Sequence, residues 1–127
     1  MMNWSAIAAF LLALGVALGA FGAHGLKGHL DEYALSIYEK AVFYHFLHAL
    51  GMLVISLFAR AGALLPATEN RVCWLLFIGV LFFSGSLYAL AISGVRLLGA
   101  ITPIGGLAFI AGWLWLGIAL LRTRPAL

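Results

Sequence analysis

The stretch AVFYHFLHALGMLVISLFA, residues 41–59, lies between Lys40 and Arg60 and contains no charged side chain. An α-helix rises about 1.5 Å per residue, so roughly 20 apolar residues are needed to cross the hydrocarbon core of a bilayer, which is about 30 Å thick. The length of this stretch and the charges that flank it therefore predict a helix that spans a membrane.

Three further stretches have the same character. Residues 4–23 and 72–93 are uncharged, and another apolar run lies between Arg96 and Arg122. Thr102 followed by Pro103 places the start of that last helix, because threonine is a favoured N-cap residue and proline is tolerated in a first turn. The sequence thus predicts an all-α fold, an integral membrane bundle of four transmembrane helices in one domain, residues 1–127, with spans at about 4–23, 41–59, 72–93 and 103–121.

The composition excludes a soluble domain. Of the 127 residues, 65% are hydrophobic and 9% are charged, and the mean hydropathy is +1.14, whereas soluble domains carry roughly 25% charged residues. So few charges cannot cover a surface that faces water. The net charge of +3 comes from basic residues scattered singly at the edges of apolar runs, which is typical of interfacial anchors, and we expect no nucleic acid partner.

The segment between the first two predicted spans holds much of the charge. Within residues 25–39 apolar side chains recur at helical spacing, which predicts a short amphipathic helix at the membrane surface. Ahead of it, Gly15, Gly19 and Gly22 form a stripe of small residues that permits close helix approach. Close packing inside the bundle is the favoured interpretation of this stripe, and a dimerisation face is the alternative.

The basic residues also suggest an orientation. With four spans, both termini lie on the same side of the membrane as the middle connection. That side holds one more basic residue than the other, and the positive-inside rule therefore favours cytoplasmic termini. The two sets are Arg60, Arg71, Arg122 and Arg124 on the side of the termini, and Lys27, Lys40 and Arg96 on the opposite side.

Polar side chains within membrane spans are costly, so their positions are the best indication of a site. Here they collect toward the end of the bundle that carries the first and third connections, whereas the opposite half holds few. We predict that they form a polar layer, which either links helices by hydrogen bonds or lines a small cavity for a lipid headgroup or another small polar ligand. The candidate residues of this polar layer are His24, Tyr44, His45, His48, Ser84, Ser86, Tyr88 and Thr102.

The residue types limit the chemistry of such a site. No carboxylate lies within the predicted spans, and Cys73, the only cysteine, lies at the opposite end from the histidines. We therefore predict neither a complete zinc shell nor a Ser-His-Asp arrangement, and assign no catalytic residue, metal ligand or cofactor. The alternative function is a small transporter, channel or proton relay that uses His24, His45 and His48, because histidine has an unperturbed pKa of about 6.5.

Four motifs that follow one another along the chain resemble a known family. The motifs are Gly19-Ala-Phe-Gly-Ala-His-Gly-Leu26, Tyr44-His-Phe-Leu-His48-Ala-Leu, Phe83-Ser-Gly-Ser-Leu-Tyr88, and Thr102-Pro-Ile-Gly-Gly106 with Ala111-Gly-Trp113. Together they resemble the domain of unknown function 423 family, which includes small bacterial inner-membrane proteins and is similar to eukaryotic transmembrane protein 256. The resemblance covers essentially the whole chain.

The resemblance implies a multi-pass protein of the bacterial inner membrane without an established biochemical activity. The family pattern covers the residues of the polar layer together with Pro103, and His45 matches it less closely than the others do. We expect membrane lipids as partners. A homo-oligomer or a membrane-protein partner is also expected, because a small bundle leaves much apolar surface uncovered.

Overall fold

The computed structural model describes residues 2–123, which form four long helices. They are α1 (Trp4–His24), α2 (Glu32–Arg60), α3 (Pro66–Ser93) and α4 (Thr102–Arg122), the last preceded by a 3₁₀ turn at Arg96–Ala100. When the 3₁₀ turn is counted as part of the fourth helix, all four helices are long and apolar enough to cross a membrane. The prediction of an all-α bundle of four transmembrane helices is confirmed. Arg124, which entered the orientation count, lies outside the described residues.

Two helices begin earlier than the predicted spans. The α2 helix begins at Glu32 rather than at residue 41, and α3 begins at Pro66 rather than at residue 72. The Asp31 carboxylate caps α2 by accepting a hydrogen bond of 2.7 Å from the backbone N–H of Ala34, and Pro66 occupies the first turn of α3. The two predicted spans were begun directly after a charged residue. A helix, however, continues past a charge until its backbone is capped or broken.

The connection between α1 and α2 is shorter than the sequence predicts. Residues 25–31 form turns, with Gly28 at a φ of +90°, and the rest of the expected surface helix is the start of α2. The chain from Glu32 to Leu50 contains neither glycine nor proline, so nothing separates an amphipathic helix from the span that follows it. Ile37 and Tyr38, which were expected at the membrane surface, are buried in the bundle.

The glycine stripe of α1 faces α2. A Cβ atom at Gly15 would lie 3.2 Å from the ring of Phe46, and one at Gly19 would lie 3.5 Å from Val42. A Cβ atom at Gly22 would overlap the ring of Tyr38. The favoured interpretation of the stripe, close packing inside the bundle, is therefore confirmed.

The α3 helix contains a π-helical turn at Val80–Ser84, between the α-helical segments Pro66–Gly79 and Gly85–Ser93. Within it the N–H of Gly85 bonds the carbonyl of Val80, five residues earlier. Such turns are rare, occur as single insertions in α-helices and are frequent at functional sites. This one lies where α2 and α4 both contact α3.

The α4 helix packs closely on the π-helical turn through a glycine. Gly105 is buried, and a Cβ atom there would overlap the backbone nitrogen of Phe83 and lie 2.8 Å from the carbonyl carbon of Phe82. The two helix backbones are therefore in direct contact, which requires a residue without a side chain. This contact brings the first turn of α4 to the serines of α3.

Candidate functional site

His45 joins three helices. Its ring, on α2, is 2% exposed, with Nε2 2.7 Å from the carbonyl oxygen of Leu11 on α1 and Nδ1 2.9 Å from the hydroxyl of Tyr88 on α3. A carbonyl oxygen can only accept, so in neutral His45 Nε2 carries the proton and Nδ1 accepts a hydrogen bond from Tyr88. Both ring nitrogens are therefore engaged with groups on other helices.

Tyr38 extends this network, although the sequence did not place it in the polar layer. Its ring meets that of Tyr88 edge to face, with the centroids 5.2 Å apart, and its hydroxyl donates a hydrogen bond to the carbonyl of Leu18. Tyr38 lies seven residues before His45, on the same face of α2. That spacing is the sequence signal that would have included it.

Ser84 links α3 to α2. Its side chain is fully buried, and its hydroxyl donates a hydrogen bond of 2.8 Å to the backbone carbonyl of Ala41. Because Ala41 is also fully buried and carries no bulky side chain, the serine can reach the α2 backbone. The bond lies one turn from His45, so α2 is fixed to α3 at two adjacent levels.

Ser86 and Thr102 link α3 to α4. Their hydroxyl oxygens are 2.6 Å apart, and Ser86 Oγ is also 3.0 Å from the carbonyl oxygen of Phe83. Since that carbonyl accepts from Ser86, the proton between the two side chains comes from Thr102. Thr102 is the first residue of α4 and forms no side-chain cap, so the prediction that it is the N-cap is wrong because its hydroxyl is engaged with Ser86 instead.

We expect Thr102→Val to lower the free energy of unfolding by about 0.6 kcal/mol, the average for a hydrogen bond between membrane helices. The substitution keeps the shape of the side chain and removes the donor to Ser86. The measurement is an SDS titration in mixed micelles followed by circular dichroism. Thr123→Val is the matched control, because within residues 2–123 the Thr123 hydroxyl bonds only the carbonyl of Leu120, near the end of the helix that Thr123 follows. Equal losses from both variants would contradict the link.

His48 lies one turn beyond Tyr44 on α2 and is 4% exposed. Its Nδ1 lies 2.8 Å from the backbone carbonyl of Tyr44 and donates to it. Its ring stacks on Phe109 of α4, with the centroids 3.5 Å apart and the planes 13° from parallel. Among residues 2–123 its Nε2 has no hydrogen-bond partner, which makes it an acceptor that remains free in the described bundle.

Tyr44 and His24 contribute less to the polar layer than the sequence predicts. The Tyr44 ring packs on Phe83, with the centroids 4.4 Å apart, and no hydrogen bond of its hydroxyl is present in the described part of the chain. His24 is exposed at the end of α1, and its side chain makes no hydrogen bond with any described residue. The structure therefore brings together His45, Ser84, Ser86, Tyr88 and Thr102, places His48 beside them, and leaves His24 apart.

A second polar network lies at the other end of the bundle, called the terminal end below, where α1 begins and α2 ends. Arg60 donates to the hydroxyl of Ser5 at 2.9 Å and to the amide oxygen of Asn3 at 3.1 Å. Trp4 is 1% exposed, and its indole N–H donates to Asn70 at 3.0 Å. The sequence showed these side chains at the ends of spans but not that they pair, because the pairs are separated by more than 50 residues.

No group of three or more His, Cys, Asp or Glu side chains within residues 2–123 is placed so that it could hold a metal ion. Cys73 is buried, and within residues 2–123 its sulfur lies 4.0 Å from the carbonyl of Met52. The polar groups of the layer are imidazoles and hydroxyls, and the structure shows them in hydrogen bonds between helices.

Comparison with known proteins agrees with the motifs. A family model described as protein of unknown function (DUF423) matches residues 18–106. The chain is 50% identical to a UPF0382 membrane protein of Staphylococcus haemolyticus, over 89% of this chain and 90% of the relative. It is 42% identical to a UPF0382 membrane protein of Bacillus subtilis, over 86% of this chain and 88% of the relative.

A UPF0382 membrane protein of Staphylococcus epidermidis is 54% identical, over 86% of this chain and 87% of the relative. No solved structure matches the chain significantly. The family match includes the whole polar layer, from His24 to Thr102. The four apolar helices, the motifs and these relatives together show that the chain belongs to the DUF423 family of membrane proteins, which carry the name UPF0382.

Proposed function

We propose that this chain is a non-enzymatic protein of the bacterial inner membrane and that its polar layer joins the four helices into one bundle. The observation that carries the proposal is His45, whose two ring nitrogens bond Leu11 on α1 and Tyr88 on α3. Both nitrogens of the neutral imidazole are thus engaged with groups of the bundle, so neither is left to hold a ligand.

The other hydroxyl groups of the polar layer support the same role. Ser84 and Ser86 each donate to a backbone carbonyl, and Thr102 donates to Ser86. Within residues 2–123 every fully buried side-chain nitrogen or oxygen has a hydrogen-bond partner. Bonds of this kind fix the register of helices whose apolar faces can pack in several ways.

A small transporter or proton relay is the second candidate, and His48 is the observation that favours it. The His48 side chain is largely buried, but its Nε2 is not fully enclosed and is an acceptor without a partner among the described residues. A relay through the three histidines also requires His24, which is exposed at the end of α1, and His45, whose Nε2–H is bonded to the backbone carbonyl of Leu11, a group that can only accept. We therefore prefer the role in joining helices.

A proton-flux assay separates the two candidates. We expect liposomes that contain the purified protein, loaded with a pH-sensitive dye and given a pH gradient, to leak protons no faster than protein-free liposomes. The His48→Gln variant should behave in the same way, with a protonophore as the positive control. Flux above the leak that disappears in folded His48→Gln protein would overturn the proposal in favour of transport.

A further inference from the structure

A groove of about 620 Å³ lies between α3 and α4 at the terminal end of the bundle. Its wall is mostly apolar, and Leu114 and Ile118 on α4 are 62% and 52% exposed, as expected of side chains that face lipid. Arg71 and Arg122 also line it, together with Trp115. The groove therefore combines an apolar wall with the two cationic side chains of Arg71 and Arg122.

The length of the groove matches one leaflet of a bilayer. Its lining on α4 extends from Ala111 to Arg122, and these eleven helical steps span about 16 Å. This is about half of the hydrocarbon thickness of roughly 30 Å. Because Arg122 is the last residue of α4, the groove opens at the membrane surface and ends near the middle of the membrane.

Among residues 2–123, no acidic side chain lines the groove beside its two arginines. Glu69 is the one acidic residue at the terminal end, and it is not part of the lining. The guanidinium of Arg71 lies 5.5 Å from the centre of the Trp115 ring, which holds the cation against the wall by a cation–π contact. Arg60, the remaining basic residue of this end among residues 2–123, is bonded to Asn3 and Ser5.

We propose that this groove binds an anionic phospholipid, with its phosphate between Arg71 and Arg122 and an acyl chain along Leu114 and Ile118. Charge complementarity favours a phospholipid over a second copy of this chain. The other three acidic residues, Asp31, Glu32 and Glu39, all lie around the start of α2, at the opposite end of the bundle, so a parallel copy brings arginines and no carboxylate cluster to the groove. The proposal does not depend on the polar layer.

Native mass spectrometry of the full chain in detergent tests the proposal, with palmitoyl-oleoyl phosphatidylglycerol and palmitoyl-oleoyl phosphatidylcholine as probes. We expect the phosphatidylglycerol to be retained preferentially. The double variant R71Q/R122Q should bind it about thirtyfold more weakly, because each of the two basic residues contributes on the order of 1 kcal/mol near an anionic lipid surface, and about 1.4 kcal/mol is a factor of ten in affinity. Both side chains are exposed, so the variant should fold, as circular dichroism would check.

Arg96→Gln is the matched control, because Arg96 is exposed at the opposite end of the bundle and its loss should leave retention unchanged. Ala119→Trp, which fills the groove without changing a charge, should also reduce retention. Equal retention of the two lipids, or full retention by R71Q/R122Q, would overturn the proposal. Displacement by millimolar inorganic phosphate would indicate a free-anion site, and a dimer that Ala119→Trp abolishes without any bound lipid would indicate a second copy; either would overturn it.

Discussion

Gly105→Ala is expected to lower the free energy of unfolding by about 3 kcal/mol, at the upper end of the range for overpacking a protein interior. The added methyl group would overlap the backbone nitrogen of Phe83 and approach the carbonyl carbon of Phe82 to 2.8 Å. A side chain could rotate away, but a helix backbone cannot, so α4 must move off the π-helical turn. That movement would also separate Thr102 from Ser86. The measurement is SDS titration in mixed micelles, with the yield of monodisperse protein as a second readout.

Two glycines of the same helix provide matched controls for Gly105→Ala. A Cβ atom at Gly106 would make an ordinary contact of 3.8 Å with the Phe83 ring, and one at Gly117 would meet nothing within 4 Å. Alanine is favoured over glycine in a helix interior by roughly 0.5–1 kcal/mol, so these variants should be as stable as the original chain or slightly more stable. If Gly105→Ala were as stable as Gly117→Ala, the direct backbone contact between α3 and α4 would be refuted.

The spans were predictable because the physical signal is large and local. A charged side chain within the hydrocarbon core is strongly disfavoured, so uncharged runs such as residues 41–59 mark the membrane segments. The π-helical turn at Val80–Ser84 has no comparable signal. It is a shift of one residue in the hydrogen-bond pattern of α3, and its partner, Gly105, lies in another helix. The contact between the turn and Gly105 joins residues more than 20 positions apart, and the sequence of α3 alone does not show it.

The sequence predicted which residues form the polar layer better than it predicted which hydrogen bonds they make. The depth of His45 and Tyr88 in their spans placed both in the polar layer, and the structure joins them. The other partner of His45 is the carbonyl of Leu11. Every residue has a backbone carbonyl, so the sequence does not show which one accepts this hydrogen bond. His24 was predicted to belong to the polar layer but is exposed. A histidine at the end of a span can turn toward the bundle or toward water. The residue type and its position in the span do not distinguish these two orientations of the side chain.

His45→Ala is expected to lower the free energy of unfolding by about 2–3 kcal/mol. It opens a cavity among α1, α2 and α3 and leaves the Tyr88 hydroxyl without its acceptor, which costs about 1–3 kcal/mol for a buried group. The unfolding titration described for Gly105→Ala measures the loss. His24→Ala is the matched control and should change stability by less than about 0.5 kcal/mol, as is usual for an exposed position away from packed contacts.

Tyr88→Phe, tested with His45 intact and with His45→Ala, isolates the hydrogen bond from the cavity. With His45 present, loss of the hydroxyl should cost about 0.6 kcal/mol, and at most about 1.7 kcal/mol, the range measured for such bonds between membrane helices. In the His45→Ala protein the same substitution removes an orphaned hydroxyl, so it should cost nothing or restore some stability. Equal costs in the two backgrounds would show that Tyr88 and His45 do not interact, and the polar layer would then lose the link on which its role in joining helices depends.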